Sequence, residues 1–369
     1  MTHAAANPRP LHGVRIIEFS GIGPGPFAGM LLADMGAQIL SLERPQPSEF
    51  VPGPVLSRGK IRLGVDLRDP ASKAQVLELL THADALIEGF RPGVMERLGL
   101  GPDVVLAHNR RLVYGRMTGW GQSGPLATAA GHDINYIALS GALAAMGPPE
   151  QPLVPLNLLG DFGGGSLYLV SGLLAAMLSA RITGVGQVVD AAIVDGAASL
   201  MALASELVAA GRWQERRGRN FLDGSAPFYR CYRCADGEFI AIGALEQRFY
   251  DELCRRIGLD SAASARRHDP AVWPELTERF AAIFASQTRA HWCALLEGTD
   301  ACFAPVLTMH EAARHPHMAA RQTWRKTAAG LEPAPAPRFS AAHAASEPPP
   351  EASLAEWAAR WAATARQLS

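Results

Sequence analysis

The chain has 369 residues, 48% hydrophobic and 19% charged, with a formal net charge of −1 and a pI near 6.8. That length supports more core than one small domain needs and points to two domains. The near-zero charge excludes a whole-molecule field that would draw in nucleic acid or a membrane surface, so any basic site must be local.

Lys60, Lys73 and Lys326 are the only lysines, which leaves the positive charge on arginine, whose planar fork suits phosphate. No apolar run reads as long enough to span a membrane, and residues 1–10, an expected disordered tail, lack the apolar segment of a signal peptide. The cytoplasm is the expected location. Cys231, Cys234, Cys254, Cys293 and Cys302 are odd in number, which argues against a disulfide framework. Cys231-Tyr-Arg-Cys234 has the spacing of half a zinc site or a redox motif, but a structural zinc takes about four ligands and no second such pair follows. Plain buried or strand thiols, and no metal, are expected there.

Up to about residue 200, short β-branched runs alternate with longer helical stretches, the pattern of βαβ units around a parallel sheet. Strands are expected at 14–19, 37–42, 61–67, 83–88 and 112–117. The spacing predicts a helix over 71–80, where Val76, Leu77, Leu79 and Leu80 share an apolar face after the Asp69-Pro70 start signal. Another follows the glycines 163–165 and runs over 167–180, a short strand covers 186–190, and 191–210 is a further apolar stretch. Arg212, Arg216, Arg217 and Arg219 then crowd before Asn220, the texture of a linker or hinge. A second unit opens with strands at 228–234 and 238–243 joined at Asp236-Gly237, a tight-turn pair, followed by helices over 246–257 and 274–284. Beyond His310 the chain turns rich in Ala and Pro, with Pro333, Pro335, Pro337 and 348–350 favouring extended backbone. The expected division is therefore 11–195 as the first part of a large domain, 196–224 as linker, 225–306 as a small domain, and 307–369 as linker and return to the large domain.

Gly23-Pro24-Gly25-Pro26-Phe27-Ala28 after the first strand, with Glu43 ending the next, superficially matches a dinucleotide-binding fingerprint. That motif works through backbone N–H groups aimed at pyrophosphate, and Pro24 and Pro26 have none. A Pro/Gly turn that starts a helix is the plainer reading; a glycine loop that admits a ligand remains open.

Two polar clusters carry the chemistry. Gly131-His132-Asp133-Ile134-Asn135-Tyr136 packs four functional side chains into one short span, and Asn157-Leu158-Leu159-Gly160-Asp161-Phe162-Gly163-Gly164-Gly165 sets an acid before a glycine-rich helix start. An isolated His is more often a satisfied core or surface residue, and an Asp at that place also serves as a helix cap. Together, a His and a carboxylate meet the needs of proton removal next to a carbonyl with return on the opposite face. The imidazole changes protonation near neutral pH, whereas Asp161 needs an apolar setting to raise its pKa. N–H groups at the helix start after the glycines are candidate donors to an enolate oxygen.

The chain resembles the α-methylacyl-CoA racemases of the family III CoA-transferase superfamily. The resemblance spans nearly the whole chain and is carried by Glu43-Arg44-Pro45, Val65-Asp66-Leu67-Arg68, Glu88-Gly89-Phe90-Arg91-Pro92-Gly93-Val94 with Glu96-Arg97-Leu98-Gly99, and the two clusters above. It continues through Gly186 to Asp190, Asn220 to Gly224, Gly243 to Glu246 and Thr299 to Cys302. It implies a large Rossmann-like parallel-sheet domain plus a smaller α/β domain, an interlocked homodimer, an acyl-CoA thioester substrate and no cofactor. It makes His132 and Asp161 the two bases, with Glu246 hydrogen-bonding His132. Arg44, Val65, Asp66, Leu67, Arg68, Gly89, Phe90, Arg91 and Arg97 would surround the nucleotide and phosphates of CoA. Gly131, Asp133, Ile134, Asn135 and Tyr136 would lie along pantetheine and thioester. Transferases of the superfamily keep the Asp as a nucleophile and generally lack the His, so His132 discriminates. CoA transfer through Asp161, and CoA binding without turnover, stand as alternatives.

Overall fold

Adjacent residues of each apolar strand feed different cores, which is why these strands read as continuous hydrophobic runs. Ile16 packs in one cluster and Ile17 in the other, and the same split holds for Ile39 and Leu40, Ala85 and Leu86, and Val113 and Tyr114. A parallel sheet covered on both faces requires this, because successive side chains point to opposite sides. The computed structural model describes residues 9–46, 52–260, 266–340 and 352–365. The chain divides into two compact units: 1–140 with 155–200 and 322–369, and 141–154 with 201–321.

The first unit contains β1 (Arg15–Phe19), α1 (Pro24–Asp34), β2 (Gln38–Glu43), β3 (Lys60–Gly64), α2 (Pro70–Leu80), β4 (Ala85–Glu88), α3 (Val94–Arg97), α4 (Pro102–His108) and β5 (Val113–Thr118). It continues with α5 (Asp133–Leu139), a π-helical turn Leu158–Ser166, α6 (Leu167–Thr183), β6 (Val188–Ala192) and α7 (Ile193–Leu200). The six strands pair in parallel in the order β3-β2-β1-β4-β5-β6. Helices α1 and α6 supply Leu32, Leu169 and Leu173 to one face, and α2 and α4 supply Val76, Leu79, Leu80 and Val105 to the other. The order reverses at β1, so β1 and β4 leave a crevice beyond their carboxyl ends, where doubly wound sheets bind ligands.

The second unit contains α8 (Ala202–Ala209), β7 (Tyr229–Arg233), β8 (Phe239–Gly243), α9 (Gln247–Ile257), α10 (Trp273–Ala285), α11 (Arg289–Leu296), β9 (Phe303–Pro305), α12 (Met309–Arg314) and α13 (Pro316–Ala320). Its strands form an antiparallel sheet, β7-β8-β9, over a core of Phe228, Tyr232, Ile240, Tyr250, Phe280, Phe284 and Trp292. The chain then returns to the first unit through β10 (Trp324–Thr327), β11 (Gly330–Pro333) and α14 (Leu354–Ala365), whose Trp357 and Trp361 enter the core beside α2.

The structure departs from sequence expectation in three places. Strand β3 ends at Gly64 rather than residue 67, because Asp66 accepts the Arg68 and Asp69 N–H groups through its side chain and carbonyl and turns the chain. The stretch 196–224, expected as linker, is helical as far as Ala209, with Ala197 and Leu207 buried. One helical run, Leu158–Thr183, is long and apolar enough to cross a membrane by length and composition, and 44% of its most apolar window is buried inside the protein. The polar Asp161, Ser166 and Arg181 disguise that run in the sequence. The expected tail 1–10, except for Arg9 and Pro10, and the proline cluster at 348–350 lie outside the described residues.

Candidate active site

The site grows from the turns that leave β1, β4 and β5. Gly23 has φ 68° and begins α1 with Pro24 at its first position, so the Pro/Gly segment is a helix-starting turn. Asp161 stands in the first turn of the π-helical segment, an irregular helix frequent at functional sites. Two contacts bind these elements together. Ser166 Oγ donates to Pro24 O at 2.8 Å and to Asp161 O at 3.0 Å, and the Phe27 and Phe162 rings stack with centroids 4.1 Å apart. The Asp161 carboxylate lies so close to the turn that a Cβ on Gly23 would come within 3.2 Å of Oδ2.

His132 occupies the N-cap of α5 in extended backbone, φ −133° and ψ 173°, and its N–H donates to Asn135 Oδ1 at 3.0 Å. The residue is exposed. Beside it, Tyr136 meets Trp120 edge to face at 4.7 Å and donates its hydroxyl to Gly131 O, shaping the wall.

His132, Asp161, Gly131, Tyr136, Gly89, Phe90 and Arg91 line one cavity of about 320 Å³ with the Gly23–Pro26 turn. Phe19 and Phe90 also line a second cavity of about 560 Å³, whose other walls include Arg44, Val65, Asp66, Leu67 and Arg68. Thus two cavities of one unit share a wall. Five expected residues line neither cavity. Asp133 is buried beneath Asp161, Ile134 and Asn135 are exposed on α5, Arg97 is exposed on α3, and Glu246 is exposed at the N-cap of α9 in the second unit.

Burial, and then the negative charge of Asp133, push the Asp161 carboxyl up from 3.8 to about 6, against the Asn157 hydrogen bond and the His132 charge. The Asp161 N–H donates to Asp133 Oδ2 at 2.7 Å and the Phe162 N–H to Asn157 O at 3.2 Å, which ties down the backbone just before the glycines.

Sequence reasoning overlooked two buried ionic clusters that support the cavity walls. Glu18 on β1 pairs with Lys60 at 2.7 Å, and Lys60 Nζ also donates to Pro26 O at 2.8 Å, tying the α1 turn to the sheet. Glu88 accepts the Phe90 N–H at 2.8 Å and Arg116 Nε at 2.9 Å, while Arg116 reaches Glu96 at 2.8 Å, which fixes the Gly89–Arg91 segment. The signal was present: each of Glu18, Glu88 and Arg116 interrupts an otherwise apolar strand near its carboxyl end. All five cysteines are free; Cys231 is exposed and Cys234 buried, and among the described residues no group of three or more His, Cys, Asp or Glu is placed to hold a metal ion.

A doubly wound sheet with His132 and Asp161 lining a cavity beside its switch point marks a candidate active site, and comparison with known proteins gives the chain a family. Residues 11–356 match CoA-transferase family III, and the chain belongs to that family and has catalytic activity of its general type. It is 44% identical over 334 residues to the Alpha-methylacyl-CoA racemase of Mus musculus, covering 89% of this chain and 86% of that protein, and 44% identical to its Homo sapiens counterpart. It is 32% identical over 339 residues to the Succinyl-CoA–D-citramalate CoA-transferase of Chloroflexus aurantiacus, covering 86% and 83%. Among solved structures, Rv3272 of M. tuberculosis superposes with a TM-score of 0.76 at 29% identity, covering 95% of this chain and 99% of that one.

Proposed function

We propose that the chain is a racemase, or epimerase, of 2-methylacyl-CoA thioesters that inverts the α-carbon by proton transfer through an enolate. The observation that carries this reading is the placement of His132 and Asp161 in one cavity, with Asp161 raised to about 6. In one direction the neutral imidazole takes the α-proton, the electrons pass to the thioester oxygen, and protonated Asp161 delivers a proton to the opposite face. The reverse direction starts from imidazolium and carboxylate. No atoms are gained or lost. The 44% identity to two proteins named as racemases supports the same reaction.

In this reading Arg44 and Arg68, in the second cavity, and Arg91 and Arg97 meet the phosphates through charge-assisted hydrogen bonds. The Gly131–Tyr136 segment borders the thioester, and Glu246 orients the His132 imidazole within one chain or across an interlocked homodimer. Leu167, Leu178 and Ile182 on α6 are 49%, 62% and 76% exposed, apolar surface that a second copy would cover. The five free cysteines suit a cytoplasmic enzyme.

A second reading has support in the same carboxylate. Asp161 also suits nucleophilic attack on the thioester carbonyl, and a relative 32% identical is named as a CoA-transferase. Chiral separation of the thioester after incubation distinguishes the two. Racemisation of one enantiomer with total thioester conserved is expected. A hydroxylamine-trapped Asp161 adduct with release of CoA, and no inversion, would select transfer.

A further inference from the structure

A second carboxylate stands beside Asp161 and takes no part in the proposed proton transfer. Asp133, the first residue of α5, is only 7% exposed, and its Oδ2 accepts the Asp161 N–H at 2.7 Å. Residue 160 has to be glycine for this contact, since a Cβ there would lie 2.5 Å from the same oxygen. The other oxygen, Oδ1, is buried with no hydrogen-bond partner among the described residues. Burying a carboxylate with half its acceptors unused costs free energy that a neutral side chain of the same shape would avoid.

We propose that Asp133 is the positioning residue of Asp161, fixing its backbone through one oxygen and laying an uncompensated negative charge against its side chain, so that Asp161 can donate a proton as well as accept one. The inference rests on the racemase reading for its use, though not for its measurement. The groups facing Asp161 are few. Helix α5 brings His132, Asp133 and Tyr136; the π-helical turn is preceded by Asn157; α1 brings the uncharged Gly23 and Phe27. Against the same turn, α7 packs Ile193 and Ala197 and β5 packs Met117. The charged residues on neighbouring elements are occupied or open to solvent: Arg116 holds Glu88 and Glu96, Asp190 accepts the Gln122 N–H, and Asp195 is exposed. Arg91 lines the cavity itself. Asp133 and Asn157 therefore oppose one another, the first favouring the acid and the second the carboxylate.

Carbon-13 NMR titration of aspartate carboxyls in the full chain tests this, with the Asp161 signal identified by its loss in Asp161→Asn. Asp133→Asn keeps an oxygen able to accept the Asp161 N–H and removes the charge. The Asp161 midpoint should fall by about one pH unit or more in that variant and rise in Asn157→Ala. If Asp133→Asn does not fold, Asp133→Ser removes the same charge with a smaller side chain and should also lower the midpoint. A purely structural Asp133 would leave the midpoint in place, or move it in the same direction when Asp133 is replaced as when Asn157 is replaced by Ala, and either result overturns the proposal. Because the titration needs no turnover, failure of the wild-type chain to racemise any thioester would strike the functional reading separately.

Discussion

At the scale of single residues, the account depends on a proton shared by His132 and Asp161. Replacing His132 with Ala should lower the inversion rate by about 10²–10⁴-fold, the usual contribution of a positioned acid–base group, read by chiral separation. The two active forms, imidazole with carboxylic acid and imidazolium with carboxylate, carry the same number of protons. The pH profile of kcat/KM should therefore be bell-shaped and have the same shape for both enantiomers, with apparent values that belong to the pair. The raised Asp161 also has a consequence for stability. Its carboxyl rises from 3.8 to about 6 on folding, so the charged form is penalised in the native state. That contribution is fully present below the unfolded value and is lost as pH rises through about 6. Relative to Asp161→Asn, the wild-type melting temperature should decline between about pH 4 and pH 6; a constant difference would contradict the raised value. In the sequence His132 and Asp161 were weak signals separately. Only their pairing with a reaction needing two bases singled them out, and the inward turn of Asp133 had no local signature because Asp after a His N-cap also reads as solvent-facing.

At the scale of elements, the cavity walls are held by charges buried within strands. Glu18 and Lys60 each have about 1% side-chain exposure. Removing one partner leaves the other charged and buried, so Lys60→Met should cost ~3–5 kcal/mol in urea unfolding. Glu18→Leu with Lys60→Met together should recover much of that loss; equal loss in the single and double variants would argue against an ion pair. Strand positions were legible because Val, Ile and Leu runs alternated with helical stretches. The end of β3 was not, because Asp66-Leu67-Arg68 continues the hydrophobic-polar texture while the Asp66 side chain makes a local turn that competes with the ladder. Helices α7 and α8 lie in the apolar stretch 191–210 that the sequence showed; the arginines from Arg212 onward drew the linker boundary too early, at residue 196.

At the scale of the whole molecule, the sequence announced a parallel sheet and a second, smaller α/β unit but not the strand order. The βαβ pattern restricts crossover handedness without saying where the order reverses, and that reversal at β1 creates the crevice. The resemblance supplied the fold that periodicity left open. The closing helix shows the same limit: Leu354, Trp357 and Trp361 mark an apolar face, but their partners lie far away in sequence, including Gln38, which accepts the Trp361 indole N–H. Trp361→Ala should cost ~3–5 kcal/mol, measured by denaturant unfolding, because it empties a closed part of the core. The apolar surface of α6 belongs to this scale too. The proposed homodimer predicts a sedimentation mass of two chains, and Ile182→Glu should shift it toward one.

The most direct test of the central claim is to incubate each pure enantiomer of a 2-methylacyl-CoA with the enzyme in deuterated water and follow α-deuterium together with configuration. The account predicts that the inverted product carries deuterium, that both enantiomers approach the same mixture with the thioester intact, and that His132→Ala abolishes most of this. Wild-type enzyme that transfers CoA to a carboxylic acid while leaving the α-proton and its configuration untouched would contradict it.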